Sequence, residues 1–114
     1  MVTRRSAKSK GNQGEYNTEY SLKQVYEDVR TLERRGFAQG YDIVSDKYSV
    51  AVECKFHKSI TWNELIKYYN ILKKRANKYL QHYIIYRTNF QPTLVFYYDG
   101  CGRPNVREFK YELS

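Results

Sequence analysis

The segment from Ser49 to Phe56 most constrains the fold of this chain, because its apolar and polar residues alternate with a period of two. Successive side chains of a β-strand point to opposite faces of a sheet. We therefore predict a strand over residues 48–56 whose one face is wholly apolar and buried, and whose other face ends in an acid and a base. The apolar set is Val50, Val52, Cys54 and Phe56, and the other set is Ala51, Glu53 and Lys55.

Two elements are predicted before that strand. Residues 15–35 contain no Gly or Pro, and Gly36 follows them as a stop signal. Their apolar residues recur on one face of a helix, and extending that face towards the N-terminus reaches Glu15 within about 20°. Residues 41–44 then indicate a short strand and residues 45–47 a turn, so that the two strands form a hairpin. The apolar helix positions are Leu22, Val25, Val29 and Leu32.

One further helix and three further strands are predicted after the hairpin. Thr61 and Glu64 have the spacing of a capping box, which predicts a helix running to about Leu80. Residues 82–87, 93–98 and 106–113 predict strands, the last an edge strand that follows a hairpin loop over residues 99–104. The order α-β-β-α-β-β-β indicates an α/β (α+β) fold, with a central mixed sheet flanked by helices in a single domain over residues 15–114.

The charge balance indicates the class of partner. The chain has 20 Lys and Arg against 12 Asp and Glu, a formal net charge of +8, and such a surface attracts polyanions, above all nucleic acid. Residues 1–14 contain no acid, and we expect a flexible basic arm that either contacts phosphates or only aids solubility. The basic residues of this arm are Arg4, Arg5, Lys8 and Lys10.

Membrane and secretory segments are not expected. No apolar run approaches the length of a membrane span or follows the basic start of the chain, so a cytoplasmic protein without a membrane partner is predicted. In that compartment Cys54 and Cys101 are expected to be free thiols. Cys54 and His57, with His82 and Cys101, contain the ligand types of a zinc site, which is a minor alternative because the paired ligand spacing is missing.

Three acids and a lysine form the candidate chemical site. Glu15 lies on the inward face of the predicted first helix, Asp42 on the first strand, and Glu53 and Lys55 on one face of the second strand. Metal-assisted phosphodiester hydrolysis needs hard oxygen ligands around Mg²⁺, and Asp42 and Glu53 supply them. Lys55 stands about 7 Å along the strand from Glu53, where its ammonium can face an attacking water and the charge that develops on phosphorus.

These residues resemble a known motif set. Lys10 with Gly11-x-x-x-Glu15, then Tyr41-Asp42-Ile43-Val44, then Val52-Glu53-Cys54-Lys55, resemble the PD-(D/E)XK nuclease superfamily, and most of all the archaeal Holliday junction resolvases. The resemblance covers roughly residues 10–98. Two departures are Tyr41 where the superfamily name has Pro, and only residues 37–41 between the first helix and Asp42, where resolvases usually have a further strand.

The resemblance implies a fold and an activity. The fold would be restriction-endonuclease-like, and the activity a Mg²⁺-dependent DNA endonuclease in which Mn²⁺ substitutes for Mg²⁺. Glu15, Asp42 and Glu53 would hold the metal, and Lys55 would serve the nucleophile. A homodimer would act on branched or duplex DNA without a small-molecule cofactor.

Simpler explanations stay open for each residue. Glu15 suits the first turn of a helix, Asp42 the entry of a hairpin, and Glu53 with Lys55 a solvated face. His57 continues the face of Glu53 and is either a DNA contact, a proton-transfer group or a solvated strand end, while Lys58 suits a phosphate. Three functions follow: a DNA endonuclease, including a structure-selective one, a catalytically inactive nucleic-acid-binding module of the same fold, and an RNA-binding or protein-interaction domain unrelated to nucleases.

Overall fold

The computed structural model describes residues 18, 20–31 and 43–110, which form an α+β fold. Its elements are β1 (Arg30–Thr31), β2 (Ile43–Ser45), β3 (Val50–Phe56), α1 (Trp62–Arg75), β4 (Gln81–Arg87), β5 (Leu94–Tyr98) and β6 (Pro104–Glu108). The described strands form one six-stranded sheet in the order β1-β2-β3-β4-β5-β6. The predicted α+β class with a mixed sheet is confirmed, and the restriction-endonuclease-like fold stays a prediction.

The direction of the strands decides which residues meet at one end of the sheet. β3 and β4 are parallel, whereas the other neighbouring pairs of described strands are antiparallel. A parallel pair needs a long crossover connection, and the segment that contains α1 provides it. β3 and β4 therefore finish at the same end of the sheet. We call this end, residues 56–58 and 87–91, the carboxyl edge.

The sheet separates two apolar layers. One layer holds the predicted apolar face of β3, where Val50, Val52 and Cys54 pack with Leu22 and Val29. The other layer lies under α1. Burial of such side chains contributes roughly 1.5–3 kcal/mol each for a Val, Leu, Ile or Phe. The layer under α1 contains Leu65, Tyr69 and Leu72 of the helix and Ala51, Ile84 and Phe96 of the sheet.

The helix predicted over residues 15–35 is wrong over residues 24–31, and residues 32–35 lie outside the described residues. Residues 20–23 are helical, but residues 24–28 contain turns and β1 follows at Arg30. The Asp28 carboxylate accepts hydrogen bonds from Ser45 Oγ at 2.6 Å and from the Lys47 backbone N–H at 2.8 Å. Arg30 Nη2 lies 3.0 Å from Asp46 Oδ2. These contacts with the β2–β3 turn, 15 or more positions away along the chain, outweigh the local helical pattern.

The order of the elements changes accordingly. A strand, β1, precedes β2 and pairs with it, so that β2 is not the first strand of the sheet. The predicted hairpin of β2 and β3 is confirmed, with Ile43 opposite Val52. The predicted strand start at Tyr41, together with Asp42 and Glu15, lies outside the described residues.

The bounds of two later elements also differ from the prediction. α1 begins at its predicted capping box, in which the Thr61 hydroxyl accepts from the Glu64 N–H and the Glu64 carboxylate accepts from the Thr61 N–H. It ends at Arg75 rather than near Leu80, because Ala76 closes the helix and its carbonyl oxygen lies 2.8 Å from Nε2 of the buried His82. The last strand spans Pro104–Glu108 rather than residues 106–113 and is an edge of the sheet, as predicted.

Candidate functional site

Glu53 and Lys55 form an ion pair on β3, on the face of the sheet that α1 covers. Lys55 Nζ lies 3.2 Å from Glu53 Oε1. The Lys55 side chain is 24% exposed and the Glu53 side chain 14%, so the solvated face considered from the sequence is wrong for this pair. Charges that are partly removed from water are costly unless they are paired, and here each stabilises the other.

Tyr68 of α1 covers the ammonium of Lys55. The nitrogen lies 4.6 Å from the centroid of the Tyr68 ring, a distance at which the ring face attracts a cation. The Tyr68 hydroxyl lies 3.5 Å from Glu64 Oε2, and the His57 ring centroid lies 6.5 Å from that of Tyr68. Tyr68 thus connects the ion pair of β3 with the first turn of α1 and with the carboxyl edge.

The Glu64 carboxylate is committed to the start of α1. Its pKa is lowered by the backbone hydrogen bond from Thr61, and also by the Thr61 hydroxyl, by Tyr68 and by the charge of His57, while burial opposes the change. Hydrogen bonds from N–H groups and an adjacent helix N-terminus favour the ionised carboxylate. Glu64 is therefore a capping residue beside the candidate site and not one of its predicted ligands.

His57 and Lys58 extend the pairing of β3 and β4 into the carboxyl edge. The His57 backbone N–H donates to the Arg87 carbonyl at 3.2 Å, and the Asn89 N–H donates to the Lys58 carbonyl at 3.4 Å. The side chains of His57 and Lys58 are exposed. His57 and Lys58 therefore lie beside the end of β4, directly after the end of β3 that carries Lys55.

Arg87 is a basic residue of this edge that the sequence pattern did not single out. It is the last residue of β4, lies opposite Phe56 in the parallel register, and its guanidinium is 5.9 Å from the Phe56 ring centroid. Its position at a strand end was predictable from the apolar run over residues 82–87. The parallel pairing that brings it next to His57 was not, because nothing local in the sequence encodes it.

Basic residues dominate the chain from the end of β3 to the end of β5. Residues 54–98 include a single acid, Glu64, which caps α1. Other acids, Glu27, Asp28 and Asp46, lie around the β2–β3 turn, where Lys47 and Arg30 pair with two of them. Within residues 54–98, the positive charge therefore lies mainly on α1 and the carboxyl edge. The basic residues over 54–98 are Lys55, Lys58, Lys67, Lys73, Lys74, Arg75, Lys78 and Arg87.

Metal-binding groups are limited in the part of the chain that the structure describes. No cluster of three or more His, Cys, Asp or Glu side chains within residues 18, 20–31 and 43–110 could hold a metal ion. The zinc alternative is therefore wrong, and Cys54 and Cys101 are free thiols, as predicted. The carboxylate of Glu53 suits Mg²⁺ chemically. The other predicted ligands, Glu15 and Asp42, lie outside the described residues, as do Arg4, Arg5, Lys8 and Lys10.

Comparisons with known proteins gave no relative for this chain. No protein-family model matches it, and no curated protein or solved structure is significantly similar to it. No helix among the described residues is long and apolar enough to cross a membrane.

Proposed function

We propose that this chain is a Mg²⁺-dependent endonuclease that hydrolyses phosphodiester bonds in DNA. The observation that carries the proposal is the largely buried ion pair of Glu53 and Lys55 near the carboxyl edge, next to a strongly basic surface. In open sheets with parallel strands, ligands bind outside the carboxyl ends of those strands. An acid and a base held 3.2 Å apart near such an end provide a ligand for a metal and a positioned cation for the substrate.

The proposal gives each residue a role. The Glu53 carboxylate would hold the metal, together with Glu15 and Asp42. A bound Mg²⁺ would supply Lewis-acid activation of a water and of the phosphate. The Lys55 ammonium, fixed by Glu53 and by the ring of Tyr68, would orient the attacking water and stabilise the charge developing on the phosphate oxygens. His57 and Lys58 would contact the DNA backbone.

The proposal also requires Asp42 to lie next to Glu53. β2 and β3 pair in an antiparallel register in which Ile43 faces Val52 and Val44 faces Ala51. One further step in the same register would set position 42 opposite Glu53. Directly opposed residues have Cβ atoms about 4.5–5.5 Å apart, a separation at which two carboxylates can share one cation.

A second candidate is a catalytically inactive DNA-binding module of the same fold. It is favoured by a specific observation, namely that Lys55 already has two structural partners, Glu53 and the Tyr68 ring. In that case the ion pair would only position α1 on the sheet. The homodimer and the intracellular location belong to both candidates and are also proposals.

Cleavage separates the two candidates. We expect the purified protein to nick or cut DNA with Mg²⁺ or Mn²⁺, and expect EDTA to abolish the activity. Glu53→Gln should abolish cleavage and retain DNA binding, because removal of a negative charge does not weaken attraction to phosphates. Glu108→Gln, at an exposed position of the edge strand β6, is the matched control and should cut at the wild-type rate.

Two results would reject the nuclease. Cleavage that continues unchanged in the chelator would remove the metal from the mechanism. Lack of cleavage of single-stranded, duplex, flap and four-way DNA alike, with binding retained, would establish the inactive module.

A further inference from the structure

Phe90 is the most exposed large apolar residue that the structure describes. Its relative exposure is 102%, so the whole ring lies in solvent. It lies in the turn over residues 88–91, which a hydrogen bond from the Gln91 N–H to the Thr88 carbonyl closes at 3.3 Å. This turn directly follows β4 and belongs to the carboxyl edge.

The backbone conformation of Phe90 is also unfavourable for a large apolar residue. Its φ is +63°, in the left-handed region that Gly and Asn adopt readily and that bulky residues avoid. Gly or Asn at the third position of such a turn would satisfy the backbone without exposing a ring. Folding therefore gives no reason for Phe here, and a strained, exposed residue of this kind points to a function.

The surroundings of Phe90 indicate what it contacts. The turn is tied to the end of β3 by the hydrogen bond from the Asn89 N–H to the Lys58 carbonyl. Residues 87–91 line a shallow pocket of about 350 Å³. Arg87 and Lys58, both exposed, give this edge the charge that phosphates require. An apolar ring in a pocket that Arg87 also lines, with Lys58 at the adjoining strand end, matches the way in which proteins hold an unstacked base and its backbone.

We propose that Phe90 stacks on an unpaired base of the DNA, while Arg87 and Lys58 contact the adjacent phosphates. The substrate class is then DNA with a base free of its helical stack, as at a fork, a flap or a branch point. This inference rests on the proposed function for its ligand, but it concerns recognition and not cleavage. It adds a residue outside the Glu53–Lys55 pair that selects the substrate.

The test measures binding of the full chain in EDTA, so that no cleavage interferes. We expect wild-type protein to bind a forked DNA with unpaired arms more tightly than a fully paired duplex of the same length. Phe90→Asn should reduce affinity for the fork by about 5- to 150-fold, the range for loss of one stacked base, and leave duplex affinity unchanged. Phe90→Trp should retain the preference for the fork.

Controls exclude a structural role. Phe90→Asn should melt at the wild-type temperature or higher, because Asn tolerates the positive φ. Leu80→Ala removes an apolar side chain that is 86% exposed at the opposite end of β4, and should bind both DNAs as wild type does.

Several results would overturn the inference. One is a preference for the fork that is unchanged in Phe90→Asn, and another is a loss of affinity in that variant that is equal for fork and duplex. A third is a change in the sedimentation of Phe90→Asn relative to wild type, which would show that Phe90 contacts a second copy of the chain. Mg²⁺-dependent cleavage of the fork, with neither fork binding nor fork cleavage changed in Phe90→Asn, would reject this inference alone. Phe90-dependent fork binding without cleavage would support it and reject the nuclease.

Discussion

At the scale of single residues, Glu53 and Lys55 stabilise the folded protein only when both are present. Glu53→Gln leaves a Lys55 ammonium that is three-quarters buried with a neutral partner. We expect the free energy of unfolding to fall by about 0.5–1.5 kcal/mol in either single variant, Glu53→Gln or Lys55→Gln. The double variant should lose less than the sum of the two. Urea unfolding of the four proteins at pH 7 gives the coupling energy.

A second ion pair provides the matched comparison. Lys47 and Glu27 are also paired, but their side chains are 57% and 67% exposed. Solvent screens such a pair, so the same set of variants at Lys47 and Glu27 should show a smaller coupling. Coupling of equal size at the two pairs would contradict the importance of burial at Glu53 and Lys55.

At the scale of elements, the capping box of α1 links stability to pH. Thr61→Ala removes the hydroxyl that accepts from the Glu64 N–H, and should cost about 0.5–2 kcal/mol of stability. It should also raise the pKa of Glu64 part of the way towards its ordinary value of 4.5, because it removes the Thr61 hydroxyl contact but keeps the Thr61 backbone N–H, which lowers this pKa most. NMR titration of the Glu64 carboxyl measures this change. Ser59→Ala, two residues before the cap, is the control and should leave this pKa where it is.

The accuracy of the sequence-based predictions depended on how local each element's determinants are. β3 and the start of α1 were predictable because alternation and the capping box lie within a few residues. The helix over residues 15–35 failed because Asp28 and Arg30 bind the β2–β3 turn, which no local pattern reveals. At the site, the alternation predicted that Glu53 and Lys55 share a face. Their burial under Tyr68 and the position of Arg87 required the tertiary structure.

At the scale of the whole molecule, several carboxylates should make folding sensitive to acid. Hydrogen bonds lower the pKa of Asp46, through Arg30 first, and of Asp99, through the Arg103 backbone first. For Asp28, burial raises the pKa, but the hydrogen bonds from Ser45 and Lys47 outweigh it and the net change is downward.

The sign of the pH effect follows from these lowered values. A carboxyl whose pKa is lower in the folded state stabilises the protein above its ordinary pKa, 3.8 for these Asp side chains, and loses that contribution as the pH falls through the folded value. We therefore expect the urea concentration at the unfolding midpoint to decrease as the pH is lowered from 5 to 3. The decrease should be smaller in Asp99→Asn than in wild type. A midpoint that rises on acidification would contradict these contacts.

The distribution of charge predicts how binding responds to salt. Deletion of residues 1–10 removes Arg4, Arg5, Lys8 and Lys10, and should reduce the slope of log K against log salt by up to about 3.6 for duplex DNA. Lys73→Ala, at one exposed position of α1, should reduce it by about 0.9 or less. An unchanged slope after the deletion would mean that the arm only aids solubility.

The parallel pairing of β3 and β4 also bears on how the chain acquires its structure during synthesis. The described antiparallel pairs join strands that follow one another closely, whereas β3 and β4 are separated by residues 57–80. Closing that longer segment costs more chain entropy, which slows the step that depends on it. On a ribosome, β2 and β3 can pair as soon as their hairpin emerges. The pairing of β3 with β4 can form only after residues 57–87 have also emerged. The edge that carries Lys58, Arg87 and Phe90 therefore exists only after most of the chain has been translated, so a truncated or nascent chain lacks part of the surface that we propose binds nucleic acid.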